Sequence, residues 1–184
     1  MPLLPRLSTL SLLGATLTLA GCNALAPITV IARVDIQPTS TAAAAGLNPM
    51  GQVTFTQIGT SGWVRVEARI EGLKPNSQHG FHVHAVPNCS GDGTATGAHF
   101  NPANNPHTHP GQPHRHAGAM FNLMTDEKGV GRLSQDVSDI SLTPGPMSII
   151  GMPVITHRDA DDYKSQPLGN AGPRIACGLV AKVG

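Results

Sequence analysis

Aromatic and charged residues are both scarce in this chain of 184 residues, where they make up 3% and 12% of the sequence. The formal net charge of +1 at pH 7 excludes the basic excess that is typical of nucleic-acid-binding proteins, so no nucleic acid partner is expected. Long hydrophobic runs are also lacking, because the most apolar stretch, residues 7–20, is short and interrupted by Ser, Thr and Gly. A hydrophobic content of 40% is nevertheless enough to build a core.

The first 22 residues have the features of an export signal. A positive charge at Arg6 precedes the short apolar run, and Leu19-Ala-Gly-Cys22 resembles a bacterial lipoprotein box. We therefore expect residues 1–22 to be a lipoprotein signal peptide and Cys22 to carry lipid. The protein would then face the periplasm of the bacterial cell envelope, bound to the membrane through its lipid anchor only. The alternative is an ordinary cleaved signal with an incidental cysteine.

Cysteine is rare as well, with only three in the chain. If Cys22 carries lipid, Cys89 and Cys177 remain as a pair in an oxidising compartment, which favours one disulfide. Two buried free thiols are the alternative.

Glycine and proline are abundant, at 21 and 16 residues, and favour short strands and turns over long helices. Residues 23–48 include a small-residue stretch, Thr39–Gly46, and are interpreted as a tether. Residues 49–184 are predicted to form an all-β domain, an antiparallel sandwich or barrel of about eight strands. The predicted strands cover about residues 52–56, 63–70, 80–86, 121–125, 131–136, 147–150, 154–157 and 178–182.

Histidine is the residue that stands out, because eight of the nine lie between His79 and His116. His82 and His84 are two residues apart on a predicted strand, so both imidazoles leave the same face and can chelate one metal. Several of the others lie in the Gly- and Pro-rich stretch 87–118, a loop long enough to suggest a function. Imidazole ligands with little thiolate favour copper or zinc.

Five motifs that follow one another in the sequence resemble the copper/zinc superoxide dismutases of the bacterial exported branch. They are His79-Gly-Phe-His-Val-His84, Gly97-Ala-His-Phe-Asn-Pro102, Arg115-His-Ala-Gly118, His157 with the following Ala160-Asp-Asp162, and Gly169-Asn-Ala-Gly-Pro-Arg-Ile-Ala-Cys-Gly178. The resemblance covers about residues 50–184. It implies a Greek-key β-barrel with long metal-binding and electrostatic loops, and an enzyme that converts superoxide to O2 and hydrogen peroxide.

The resemblance also implies a four-histidine copper site. Its ligands would be His82, His84, His99 and His157. Copper in this imidazole cage would cycle between Cu(II) and Cu(I), oxidising one superoxide and reducing the next. His99 would bridge copper and zinc and carry a proton to the second superoxide, which makes it a catalytic residue. His79, the first residue of its motif, resembles a structural position.

The zinc ligands implied by the resemblance are His99, His107 and His116. In the family an aspartate ligand follows three residues after the last of these histidines, and Ala119 occupies that position here. We therefore expect the copper site to be complete and the zinc site to be weakened. Water, His109 or His114 are the candidates for the vacant position.

The remaining roles carried over from the family concern positioning and substrate. Asp161 matches the aspartate that links one copper ligand to one zinc ligand, and Arg174 matches the catalytic arginine that attracts the anion above copper. Cys89 and Cys177 match the family disulfide. The implied partners are superoxide and a copper source or chaperone that supplies the metal.

Two functions remain open from the sequence. The first is an active dismutase, which the complete copper ligand set, Asp161 and Arg174 favour. The second is a weak or inactive dismutase-like lipoprotein that sequesters or delivers copper. Its additional ligands would be His109, His114, Met120 and Met124.

Overall fold

The computed structural model describes residues 30–183, and these are almost entirely β-structure. One short helix, α1, spans Ser40–Ala44, and a single 3-10 turn spans Thr94–Thr96. In this part of the chain no helix has the length and apolarity needed to cross a membrane. The strands are β1 Ile31–Pro38, β2 Met50–Gln57, β3 Val64–Glu71, β4 Gln78–His79, β5 Phe81–Val83, β6 Leu123–Thr125, β7 Gly131–Val137, β8 Pro153–His157, β9 Arg174–Leu179 and β10 Ala181–Val183.

The strands form one antiparallel sheet in the order β4-β6-β7-β3-β2-β1-β9-β8-β5, with β10 also paired to β1. Its two end strands, β4 and β5, are consecutive in the chain and separated only by Gly80. The sheet therefore curls into a nearly closed barrel, which confirms the all-β antiparallel fold predicted from the sequence.

Strand β3 shows how an alternating sequence places apolar side chains in the core. Val64, Val66 and Ile70 are fully buried, whereas the charged residues between them are exposed, as the alternating pattern predicts. On the outer face Arg65 donates hydrogen bonds to Asp136, its direct neighbour on β7. The barrel interior is thus apolar and its outer surface carries the few charges.

The interpretation of residues 23–48 as a tether is wrong from residue 31 onward. Strand β1 lies inside the sheet, where residues 31–36 pair with β2, and Gln37 and Pro38 pair with β9. Ala32, Val34 and Ile36 are buried because they alternate with polar residues on the outer face. The predicted signal peptide, residues 1–22 with Cys22, and residues 23–29 of the tether lie outside the described residues.

The prediction of a strand at residues 147–150 is also wrong. This segment forms a turn, with one isolated bridge between Ser141 and Ser148. Ile149 is buried in the core, so the apolar character that suggested a strand serves packing within a loop.

Cys89 and Cys177 form a disulfide with a Cα–Cα distance of 5.7 Å, within the usual range for such bonds. The bond links the loop after β5 to strand β9, across 88 residues of sequence. It therefore holds the long loop against the strand that begins with Arg174.

Candidate metal centre

Four buried histidines converge on the outer face of the sheet where β5 and β8 lie side by side, because Phe81 and Val83 of β5 point into the core. His82 is on β5, His84 follows it, and His157 ends the neighbouring strand β8. His99 comes from the long loop and is joined to His84 by an isolated bridge. One ring nitrogen from each lies within 4.8 Å of the others.

Hydrogen bonds determine which nitrogen of each ring faces the centre of this cluster. The Nδ1 of His84 donates to the carbonyl oxygen of Gly97 at 3.0 Å, and that of His157 donates to Gly172 at 2.9 Å. Their Nε2 atoms lie 3.4 Å apart. His82 is turned the other way, since its Nε2 donates to Asp161 Oδ2 at 2.8 Å.

The remaining nitrogens at the cluster have the features of metal ligands. His82 Nδ1 and His99 Nε2 are buried and have no hydrogen-bond partner in the described structure. Buried polar atoms without partners are rare in native proteins and require an explanation, and metal coordination supplies one. The four-nitrogen donor set fits copper, which accepts imidazole in both of its common oxidation states.

A second cluster shares His99 with the first. Its other members, His107 and His116, are also buried, and the three ligand atoms lie within 4.8 Å of one another. The Nδ1 atoms of His99 and His116 are 3.1 Å apart, and His107 Nδ1 is buried without a partner. His99 thus offers one nitrogen to each cluster, as the resemblance implies for a bridging ligand, and the imidazole donors fit zinc.

Asp161 connects the two clusters through a fully buried carboxylate. Oδ2 accepts from His82 Nε2, and Oδ1 accepts from His107 Nε2 at 2.9 Å. The bonds fix the tautomers of both rings, so that each presents its Nδ1 to its own cluster. The sequence assigned this linking position to Asp161.

Asn122 is a further functional residue that the sequence reasoning missed. Its buried side chain donates to the Asp161 carbonyl oxygen at 3.0 Å and accepts from the Asp161 N–H at 2.9 Å. The backbone N–H of Asn122 donates to the hydroxyl of Tyr163 at 2.7 Å, and the N–H of Tyr163 donates to Asp161 Oδ1. The loop that carries Asp161 is therefore attached to the segment after His116.

Burial determines the protonation state of the four-histidine cluster. Desolvation, followed by repulsion from neighbouring histidines, lowers the pKa of His82, His84 and His99 far below the ordinary value. Desolvation also lowers the pKa of His157 to about 4. The rings are consequently neutral at pH 7, and their lone pairs are available to a metal.

Arg174 lies beside this cluster at the start of β9. Its Nη2 donates to the Gly97 carbonyl oxygen at 2.6 Å, the same oxygen that accepts from His84. Its positive charge further lowers the pKa of His84 and His157, and its Nε is buried with no partner in the described structure. The site therefore contains a cation whose guanidinium is held at Gly97 and keeps N–H donors that have no acceptor in the described structure.

The other histidines singled out in the sequence lie outside both clusters. His79 is buried, and its Nδ1 donates to the His157 carbonyl oxygen at 2.9 Å, a structural role like the one expected. The ring of His109 packs against Phe121 and Tyr163. His114 is exposed, as is Met124, whereas Met120 belongs to the apolar core.

Comparisons with known proteins agree with this geometry. Residues 49–180 match the family model for copper/zinc superoxide dismutase. The clock protein EA4 is 39% identical, with a TM-score of 0.71 over 82% of this chain and 93% of its own. A double mutant of a superoxide dismutase-like protein from Bacillus subtilis is 30% identical, with a TM-score of 0.69 over 81% of this chain and 96% of its own. The chain therefore belongs to the copper/zinc superoxide dismutase family.

Proposed function

We propose that the protein is an active superoxide dismutase that converts superoxide to O2 and hydrogen peroxide at the four-histidine cluster. The observation that carries the proposal is the Gly97 carbonyl oxygen, which accepts from both His84 and Arg174. This shared acceptor places an anion-binding cation directly beside a metal ligand. A protein that only stores copper has no need of that arrangement.

The residues of the site have separable roles in this reaction. His82, His84, His99 and His157 hold copper. Bound copper supplies the one-electron chemistry, alternating between Cu(II) and Cu(I). Arg174 attracts and orients the anion, because its guanidinium is held by Gly97 and retains an unpaired Nε–H. His99 Nε2 is buried at this cluster without a hydrogen-bond partner, so when it is not bound to metal it would hold a proton for the reduced substrate.

Replacing Arg174 with alanine is expected to slow superoxide decay by about tenfold or more while copper content stays unchanged. The arginine acts on the anion and donates no ligand to the metal. Stopped-flow measurement of superoxide decay, together with metal analysis of the copper-loaded protein, checks this. Arg132→Ala, which removes an equal charge from an exposed arginine on β7, is the matched control.

Two results would contradict the proposal. A parallel loss of copper in Arg174→Ala would show that the arginine supports the metal site. A fully copper-loaded wild-type protein without measurable turnover would reject the dismutase function itself.

Copper binding without turnover is the second candidate. The two similar structures are a clock protein and a dismutase-like protein, so relatives within this fold bear names other than dismutase. Within residues 30–183, His109 and His114 belong to no group of His, Cys, Asp or Glu side chains that could hold a metal, whereas Met120 is buried in the apolar core and Met124 is exposed. The rate of superoxide decay at full copper occupancy separates the candidates, and uptake of several copper ions per chain would favour storage.

We further propose that the protein is exported to the bacterial cell envelope, lipidated at Cys22, and supplied with copper there by a copper source or chaperone. The Cys89–Cys177 disulfide supports an oxidising compartment. Labelling of growing cells with radioactive palmitate tests the anchor. Label should enter the wild-type protein and not Cys22→Ser, and equal labelling of the two proteins would reject it.

A further inference from the structure

The three-histidine cluster supplies too few protein ligands for a tetrahedral zinc ion. Within residues 30–183, no fourth His, Cys, Asp or Glu offers a ligand atom to the group formed by His99, His107 and His116. Ala119, three residues after His116, is fully buried and has only a methyl group to offer. Structural zinc sites have four protein ligands, whereas sites with three keep a position for an exchangeable ligand.

The Asp161 carboxylate and the Nδ1 of His109 are engaged in other hydrogen bonds and do not complete the cluster. Both oxygens of Asp161 accept ring N–H groups, from His82 and His107, and Oδ1 also accepts the Tyr163 N–H. Turning either oxygen toward the metal would break a buried hydrogen bond. The Nδ1 of His109 accepts from Gly111 N–H at 3.1 Å while its ring packs on Tyr163.

A cavity of about 570 Å³ adjoins two of the three histidines, His99 and His116. Besides the two histidines, Asn101, Asn104, Asn105 and Gln166 form the polar part of its wall, and no Asp, Glu, Lys or Arg is among its lining residues. The amide of Gln166 is bound on both sides to the backbone of His107, which makes this part of the wall rigid. The cavity therefore has room for a small ligand and no carboxylate that would repel an anion.

We propose that the three-histidine cluster is an open zinc site whose fourth ligand is exchangeable water, hydroxide or a small inorganic anion entering from this cavity. Zinc lowers the pKa of a bound water to about 7, so hydroxide and added anions compete for the position near neutral pH. The proposal depends on metal binding by the three histidines and is independent of superoxide turnover.

The test uses Co(II), whose visible spectrum reports changes of ligand, in the three-histidine cluster of the full chain. The four-histidine cluster is first filled anaerobically with colourless Cu(I), and thiocyanate is then titrated. The wild-type spectrum should change and saturate. Ala119→Asp should show no change, and it should retain zinc against a chelator at least about tenfold more tightly. Ala119→Asn, of matched size but without a carboxylate, should behave as the wild type.

A wild-type Co(II) spectrum that is indifferent to thiocyanate would overturn the proposal, because a protein group would then complete the site. Equal zinc retention by wild type and Ala119→Asp would overturn it as well. The wild-type titration requires no substitution, so it decides the question even if a variant fails to fold.

A second, independent observation concerns Thr39, which precedes α1 and lies outside the segment matched by the family model. Its hydroxyl donates to the Arg174 carbonyl oxygen at 2.7 Å, and its N–H donates to the Ile175 carbonyl oxygen at 3.0 Å. The residue is buried, with 6% of its surface exposed. Thr39 thus binds the backbone of Arg174 and Ile175 with both its hydroxyl and its N–H.

Ser40, the residue after Thr39, contacts the loop that begins at Cys89. Ser40 N–H donates to the Gly91 carbonyl oxygen at 3.1 Å. At Gly93, whose φ of +80° favours glycine, a side chain would begin 3.1 Å from Arg174 Cβ and 3.4 Å from Thr39 Cγ2. Thr39, Gly93 and Arg174 are therefore packed without space to shift.

We infer that Thr39 is a positioning residue for Arg174, fixing its backbone so that the guanidinium reaches Gly97. This inference rests on the proposed function, in which Arg174 binds the anion. Its consequence is that anion affinity depends on a hydroxyl from the start of α1.

Azide binding to the Cu(II)-loaded protein, followed by visible absorption, tests the role of Thr39. Thr39→Val should weaken azide binding about three- to tenfold with copper content unchanged, because one hydrogen bond is lost. Thr39→Ser, which keeps the hydroxyl, should restore it. Thr41→Val is the control. It makes the same substitution within α1, at a side chain for which the structure shows no hydrogen bond.

Normal azide affinity in Thr39→Val, with weakened affinity in Arg174→Ala, would reject this inference and leave the proposed function standing. Normal affinity in Arg174→Ala would reject both. Loss of copper in Thr39→Val would show a general structural role and also overturn the inference.

Discussion

Replacing Asp161 with asparagine is expected to weaken metal binding at one or the other cluster, whichever loses its ring acceptor, by about ten- to a hundredfold. The carboxylate is fully buried and accepts from His82 and His107, one on each of its oxygens. An amide has one acceptor oxygen and one NH2 group, so it can accept from only one of the two rings. The other ring would lose its partner and the tautomer that directs Nδ1 to the metal.

Chelator competition, with copper and zinc analysed separately, measures the effect on each cluster. Asp159→Asn is the matched control, because Asp159 lies on the same loop but pairs with Arg158 at the surface, where an ion pair contributes little. The control should bind both metals as the wild type does. Wild-type affinity for both metals in Asp161→Asn would mean that the linking carboxylate is dispensable.

The four-histidine cluster could be predicted from sequence because its strongest signal is local. His82 and His84 are two residues apart on a strand, and strand geometry alone directs them to the same face. His99 and His157 needed the family resemblance, since their proximity depends on how a loop and β8 meet β5. The structure brings all four together, and the outer nitrogens of His82, His84 and His157 are hydrogen-bonded to protein oxygens.

Strand β1 was missed because of its neighbours in sequence. Its alternation of Ala32, Val34 and Ile36 with polar residues is the same signal that identified β3. The small-residue stretch that follows it suggested a tether instead. Part of that stretch forms α1, whose Ala42 is buried in the core, so small side chains here indicate close packing.

Residues that act through the backbone of a distant residue left no signal in the sequence. Asn122 binds the backbone of Asp161 over 39 residues, and Thr39 binds that of Arg174 over 135. Neither has a characteristic spacing, because a backbone group can accept or donate to any side chain that the fold brings near. Only the three-dimensional arrangement identifies them.

Removal of the disulfide is expected to lower the free energy of unfolding of the metal-free protein by about 4 to 5 kcal/mol. The bond closes a loop of 88 residues, so its loss greatly increases the conformational freedom of the unfolded chain. Guanidinium unfolding of Cys89→Ser/Cys177→Ser against the oxidised wild type measures the difference. The reduced wild type, which loses the bond without any substitution, is the control for the serine substitutions, and an unchanged midpoint in the double variant would show that the bond is not a structural constraint.

Copper loading should separate the effect of the disulfide on stability from its effect on the site. Without the bond, Thr39 still holds the backbone of Arg174, and Ser40 still donates to Gly91 in the loop after Cys89. The guanidinium therefore keeps its contact with Gly97 as long as the protein is folded. We expect the copper-loaded double variant, assayed well below its unfolding midpoint, to retain most of the wild-type azide affinity. A loss as large as that of Arg174→Ala would mean that the disulfide itself positions the arginine.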